Sequence, residues 1–547
     1  MLDFFNFTIS LLLIYLCLLG YGLLFYSQNK RNDIFLTITC GYFLIGLITI
    51  FIHYFLPIND IVSISIILLG LVFIFLKKKF LKEFVSIRII FFIVTISLIL
   101  ILSSKHSIDA NMYHHPYVSY LKSEKIIFGI ANIEFRFGHI SFLQYVQAAF
   151  TNNYLNMNSI ATPNLIIFST FILYTGNMLI NNADRKITYI LSILFSSFVL
   201  IKFSRYREFG NDLVPFLVAS YFLILIVDHI YYKKNNYNLF YFSPLFATFM
   251  FAHKISYIFS SLIFLTVFNK KNLLEINKNK LIVFLFIVTT FLWLTKNIIT
   301  TSCFVYPIYQ TCINNTEWLL TGMADPKNAA WLTELWAKDF ITLPNWKEIS
   351  LANYINSFEW VGNWLNNHFI KILEKLSPLF IVFLFIYSFI IYSSKKISKN
   401  HSFKNINFLF YLLGLIIVGL IIWFLKAPLF RYGSFYIVSF FSFIFFLIIF
   451  KNINQTNSSK LYKLRYIFFI SLIFFSIKNI NRQLETKKIF LPFTSSSFDN
   501  YEIINEKPLL IKPKKNIKLC YYTSSLCSHE IPAGLTISKI YNYYLFK

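Results

Sequence analysis

"IFLTITCGYFLIGLITIFIHYFL", Ile34 to Leu56, contains no Asp, Glu, Lys or Arg. About 20 apolar residues are enough to cross a hydrocarbon core some 30 Å thick. Lipid offers backbone N–H and C=O groups no partners, so such a run must satisfy them within itself as a helix. "FTISLLLIYLCLLGYGLLFY", Phe7 to Tyr26, reads the same way. Over all 547 residues the chain is 57% hydrophobic, 20% aromatic and 14% charged, with mean hydropathy +0.62. Soluble domains lie near 45–50% apolar and 25% charged. The expected fold class is an all-α polytopic membrane protein.

The formal charge of +26 does not indicate nucleic acid, because the cations alternate with the apolar runs. They gather in "NKR", "KKKFLKEFVSIR", "ADRK", "KKNN", "NKKNLLEINKNK", "KKISKNHSFK" and "SSKLYKLR". The positive-inside rule places these seven loops in the cytoplasm. The intervening short loops hold only Arg205, Arg207, Lys254, Lys426 and Arg431. "MLDFFNF" lacks a basic n-region, so no cleavable signal peptide is expected and the first span enters from outside.

About fourteen spans are expected, near 7–26, 34–56, 60–76, 88–103, 160–181, 187–203, 213–232, 238–252, 255–268, 281–299, 377–394, 407–425, 432–450 and 465–480. The short pair 238–252 and 255–268 is either two spans or one re-entrant hairpin. Residues 1–480 form the membrane domain, and both chain ends lie outside. Three long segments fall on the outer face: 104–159, the Trp-rich 300–376 and the C-terminal 481–547. All eight tryptophans lie at or beyond that face, as an interfacial belt or as platforms for a sugar or isoprenoid chain. Cys303 and Cys312, and Cys520 and Cys527, form close pairs in two outer segments, whereas Cys17 and Cys40 lie within spans. That pattern fits two disulfides in an oxidising periplasm. Neither pair has metal-ligand spacing.

The segment after the fourth span breaks the apolar rule. "SIDANMYHHPYVSYLKSEKIIFGIANIEFRFGHISFLQY", Ser107 to Tyr145, concentrates Asp109, His114, His115, Glu134, Arg136 and His139. Ionisable groups near a membrane are expensive and tend to be functional. Asp109, just past the bilayer exit, is placed to serve as a general base on a hydroxyl or to hold a sugar or metal. The pattern from Pro116 onward predicts an amphipathic helix on the membrane surface, and "HISFLQYVQAAF" a second one with its apolar side to lipid or bundle. His114 and His115 are adjacent, so on a helix they point about 100° apart. They suit hydrogen bonding or substrate orientation better than a shared metal. Glu134 either pairs with Arg136 or serves the site, and Asp212 is a helix cap or a second polar site group.

"DANMYHHP" followed by "GIANIEFRFGHISFLQY" resembles the first outer loop of the GT-C membrane glycosyltransferases, which include protein mannosyltransferases and aminoarabinose transferases. The likeness is specific over 105–150, closest to a bacterial branch with a D-A-x-x-Y-H-x-P pattern, and architectural elsewhere. It implies an inverting enzyme of the cytoplasmic membrane, with its site facing the periplasm. A polyprenyl-phosphate-linked sugar would be the donor, and a glycolipid, polysaccharide or protein the acceptor. Asp109 matches the family's catalytic carboxylate, and Tyr113 and His114 match its neighbours. Many members carry a second acidic residue directly after the Asp; Ala110 stands there, which favours a mechanism requiring no metal cofactor. The leaving phosphate needs cations, for which Arg is suited by its bidentate fork. The outer-face candidates are Arg136, Arg205, Arg207, Lys254, Lys296 and Arg431, with Arg431 first and Arg205 second. For each, the alternative is snorkelling to lipid headgroups. Two other functions compete: an O-antigen polymerase-like enzyme, which would rely on late loops, and a polysaccharide or lipid transporter, which would place charges at the midplane.

Overall fold

The computed structural model describes residues 2–25, 33–104, 108–139, 141–202, 210–232, 237–267, 280–340, 350–394, 406–485, 497–515, 517 and 519–547. Every stretch read as a span is helical. The membrane helices are α1 (Leu2–Leu23), α2 (Ile34–His53), α3 (Asp60–Leu76) and α4 (Ile87–Leu102). Two short helices of the first outer segment follow, α5 (His115–Ser123) and α6 (Phe142–Ala149). Then come α7 (Thr162–Asn181), α8 (Lys186–Ile201), α9 (Leu213–Tyr232), α10 (Tyr237–His253), a 3₁₀ helix at Ile255–Val267 and α11 (Lys280–Thr301). The last four are α12 (Ile370–Ser393), α13 (Ile406–Lys426), α14 (Phe430–Gln455) and α15 (Arg465–Glu485).

Among the described residues, eight helices are long and apolar enough to cross a membrane, or nine if the bent pair Asp60–Leu76 and Lys78–Phe84 counts as one span. Ile87–Leu102, Lys186–Ile201 and Ile255–Phe264 are shorter apolar helices. On α11, Phe284, Ile287 and Phe291 form an exposed stripe at helical spacing, a face that only lipid covers favourably. The protein is a helical membrane protein.

Local sequence sets the helix starts. The carboxylate of Asp33 accepts the Leu36 N–H at 3.2 Å and the Tyr221 hydroxyl at 2.6 Å, so one side chain both caps α2 and ties it to α9. Asn59 and Ser86 cap α3 and α4 in the same way. α1, α2 and α3 approach closely because they meet at glycines: a Cβ on Gly20 would overlap the Gly70 carbonyl, and one on Gly41 the Leu18 carbonyl.

In segment 104–159, α5 departs from the expectation of a membrane-surface helix, and α6 faces the bundle, one of its two expected sides. All eight residues of α6 and seven of the nine in α5 are buried. Their amphipathic pattern faces the bundle and a protein roof. That roof is the C-terminal part of the chain. β1 (Tyr501–Glu506), β2 (Leu509–Pro513) and β3 (Leu526–Cys527) form one sheet in that order; β1 and β2 are antiparallel, β2 and β3 parallel. β4 (Ile537–Ile540) and β5 (Tyr543–Phe546) form a separate antiparallel pair. β5 is stitched to the first outer segment, with Phe128 N–H donating to the Tyr544 carbonyl at 3.0 Å and Phe546 N–H to the Phe128 carbonyl at 2.9 Å.

The tryptophans serve mainly as internal packing. Trp364 donates to the Pro428 carbonyl and Trp423 to that of Leu429, both at the turn before α14. Trp318 donates to the Ile298 carbonyl and packs against Phe128. Trp360 is fully buried, Trp293 is buried, and Trp331 and Trp336 are exposed. Trp346 lies outside the described residues. Cys303 is bonded to Cys312 and Cys520 to Cys527, while Cys17 and Cys40 are buried free thiols.

Candidate functional site

Asp109 stands immediately before a π-helical turn, Ala110–His114, that leads into α5. Such wide turns are uncommon and recur at functional positions. Arg431 comes from the other end of the chain. Pro428 stops α13 from continuing, Leu429 is extended, and α14 begins at Phe430 with Arg431 in its first turn. The two side chains meet: Arg431 Nη1 lies 2.8 Å from Asp109 Oδ2. They are 322 residues apart in sequence.

Arg431 Nη2 donates to the Tyr432 hydroxyl at 3.0 Å. Arg431 Nε is buried and has no hydrogen-bond partner among the described residues. The Tyr432 ring also carries Lys254, whose Nζ is 4.3 Å from the ring centroid. Lys254 is the turn between α10 and the Ile255–Val267 helix, which run back along each other; the Ser261 hydroxyl reaches the Ala247 carbonyl at 3.1 Å. Its ammonium is ion-paired with Asp212, just ahead of α9. The site thus holds two ion pairs sharing one aromatic ring. The pair Asp109–Arg431 is the open one, with side chains 40% and 26% exposed, against 8% and 10% for Asp212–Lys254.

His114 joins the two pairs. A Cβ on Gly210, two residues before Asp212, would stand 3.7 Å from its Nε2. Gln144 Nε2 donates to His114 Nδ1 at 2.6 Å. Gln144 is held by a capping box, its Oε1 accepting the Ser141 N–H while Ser141 caps α6. Burial lowers the His114 pKa to about 4, with the cations of Lys254 and Arg431 adding to the fall and Asp109 opposing it. The imidazole is therefore neutral at neutral pH and acts as a hydrogen-bonding group, not as a cation.

Tyr113 lies between Asp109 and Arg136. Its ring is 5.8 Å from the Arg136 guanidinium carbon and 4.3 Å from the His114 ring. Burial, and then the Asp109 carboxylate, push its hydroxyl well above the ordinary range, so it stays protonated as a donor. Glu134 pairs with Arg136 at 3.1 Å and also faces His529 of the C-terminal sheet region at 3.4 Å.

The structure therefore gathers Asp109, Tyr113, His114, Arg136, Asp212, Lys254 and Arg431 at one place, with Glu134 at its edge. His115 is buried at the start of α5. Lys296 belongs to a different group: it is buried on α11 within the electrostatic field of His53. Arg205 and Arg207 lie outside the described residues. Among the described residues, no group of three or more His, Cys, Asp or Glu side chains is arranged to hold a metal ion.

Sequence reasoning missed four contributors: Tyr432, Gln144, Gly210 and His529. Tyr432 and Gln144 had signals, an aromatic directly beside the favoured arginine and the S-x-x-Q capping signature. Gly210 and His529 had none.

A family profile described as a domain of unknown function, DUF8201, matches residues 1–438. The chain belongs to the DUF8201 family. No curated protein and no solved structure matches it. The DUF8201 match includes both ion pairs and Tyr432; the C-terminal sheets lie beyond it.

Proposed function

We propose that this DUF8201 protein is a glycosyltransferase of GT-C type that moves a sugar from a polyprenyl-phosphate carrier to an acceptor hydroxyl. The observation that carries the reading is the contact of Asp109 with Arg431. A carboxylate suited to base catalysis and an arginine suited to phosphate meet from distant parts of the chain, at helix ends, near a second cation, Lys254. Arg431 takes the donor phosphate through its bidentate fork and its unpartnered Nε–H, with Lys254 adding positive potential behind Tyr432. The phosphate competes with Asp109 for the guanidinium, which releases the carboxylate towards the acceptor. The acceptor oxygen attacks the anomeric carbon, and its proton passes to Asp109. The bond from that carbon to the phosphate oxygen breaks, and the polyprenyl phosphate leaves with the electron pair on the face opposite the attack. Tyr113 and His114, both neutral, orient sugar or acceptor hydroxyls.

In this reading the fourteen helices of the membrane domain are fourteen crossings, with both chain ends and the site on the outer face of the cytoplasmic membrane. The alternation of basic loops supports it.

The test is incubation of purified protein with a panel of polyprenyl-phosphate sugars and membrane extract. Transfer from at least one donor is expected. Inactivity with every donor, together with measurable lipid flipping, would replace the transferase with a transporter.

A further inference from the structure

The C-terminal sheet region touches the Asp109 turn through backbone groups of a single loop. Tyr521 N–H donates to the Asn111 carbonyl at 3.0 Å, two residues from Asp109. Thr523 N–H donates to the Ser119 hydroxyl at 3.1 Å, and that hydroxyl in turn bonds the His115 carbonyl on α5. Farther along, the Ser528 hydroxyl reaches the Ile133 carbonyl, and His529 faces Glu134, the partner of Arg136.

The loop is closed by the Cys520–Cys527 disulfide, which spans seven residues and brackets both donors. Both cysteines are buried, and with Tyr501 and Ile511 they make up most of a very small apolar core. A core that small holds a loop poorly without a cross-link. Tyr521 itself has φ +54, a backbone shape that the ring closure helps maintain and that proline cannot adopt.

We propose that the stapled loop Cys520–Cys527 is a positioning element for the catalytic turn, fixing Asn111 and Ser119 and thereby where Asp109 stands against Arg431. Its effect on turnover rests on the glycosyltransferase reading; its effect on the turn does not. The loop contributes backbone donors, so the identity of its side chains matters less than the presence of its N–H groups. Arg431, Lys254 and Asp212 come from other elements and keep their places without it.

The test uses the full chain in nanodiscs. Ser119→Ala removes the acceptor for Thr523, and Tyr521→Pro removes a donor and its backbone shape. Tyr521→Gly keeps both. Amide exchange over Ala110–Leu121 is expected to rise roughly fivefold for each lost hydrogen bond in the first two variants, and to stay at the parental level in Tyr521→Gly. Cys303→Ser/Cys312→Ser, which opens the other disulfide, is expected to leave this exchange unchanged. With an active donor from the panel, Ser119→Ala should lower kcat about tenfold or more while donor KM shifts by less than about twofold, because misplacing a catalytic group affects the chemical step. Parental exchange in both Ser119→Ala and Tyr521→Pro would overturn the proposal, as would equal disruption by Tyr521→Gly. Raised exchange in a protein that accepts no donor would leave the positioning role standing and remove the transferase.

Discussion

Segment 104–159 and the Trp-rich segment 300–376 use their charges differently. In the Trp-rich segment the ion pairs mostly stay within the segment. Glu334 bonds Lys338 one helical turn away at 2.6 Å, Lys338 lies over the Trp360 ring, and His368 Nε2 stands 2.6 Å from Asp339. Lys426 adds one distant contact to Glu334 at 3.5 Å. In the first segment, Asp109 reaches across 322 residues to Arg431, leaving a half-open carboxylate and an arginine with a spare donor. In the Trp-rich segment the pairing consumes hydrogen-bonding capacity in building a scaffold. Pairing across helix ends leaves capacity that a substrate can take up.

The sharpest way to break this contrast is Asp109→Asn, which keeps the size of the side chain but removes the proton-accepting charge. Turnover should fall by about 10²–10⁴-fold, with donor lipid still bound. Near-parental turnover in a folded protein would make the first segment a scaffold like the second. Arg431→Ala should weaken donor affinity by roughly 10–150-fold, the value of one lost charge-assisted contact, and lysine should restore it only in part. Intact affinity in the alanine variant would move the phosphate site to Arg136 or to Lys254.

From the scaffold side, Glu334→Gln leaves the buried Lys338 without its carboxylate. It should cost about 3 kcal/mol of stability in thermal unfolding while turnover stays within about twofold. Loss of turnover comparable to Asp109→Asn would erase the distinction between the segments.

The smallest expected effect concerns protons. Burial lowers both His114 and His139 to about 4, with Arg136 adding to the fall at His139. The unfolded chain takes up these protons below about 6.5, whereas the folded chain resists until about 4. Stability is therefore full above pH 6.5 and falls as pH drops from there towards 4. From pH 7 to 6 each histidine should contribute less than about 1 kcal/mol. His114→Gln should flatten the curve, and an unchanged curve would show that the ring takes up its proton equally in the folded and unfolded chain.

The helices were legible because lipid leaves an apolar run one choice of structure. Asp109 and Arg431 were legible as ionisable residues at span ends, where burial makes them conspicuous. Their contact was not, because it depends on how α14 packs beside the turn after α4, and no local pattern encodes that. α5 lies under a protein roof and not on the membrane surface, because an amphipathic helix has the same periodicity in both places, while α6 takes the bundle side that its pattern allowed. Lys296 was grouped with the phosphate candidates by its depth alone; packing puts it beside His53. Of the tryptophans, read as a belt or as sugar platforms, Trp364 and Trp423 donate to carbonyls that shape the turn before Arg431.

The stitching of Phe128 to β5 also has a consequence for the order of events in synthesis. Asn132 donates to the Phe546 carbonyl across 414 residues, and the neighbouring Phe128 groups pair with Tyr544 and Phe546. Segment 104–159 emerges early on the ribosome, yet its polar groups find these partners only when the far end of the chain has been made. Contacts of such sequence separation form late and slowly. Until then the Asp109 turn has no roof, and a chain cut short after α15 would keep the pairs Asp109–Arg431 and Asp212–Lys254 while lacking the frame above them.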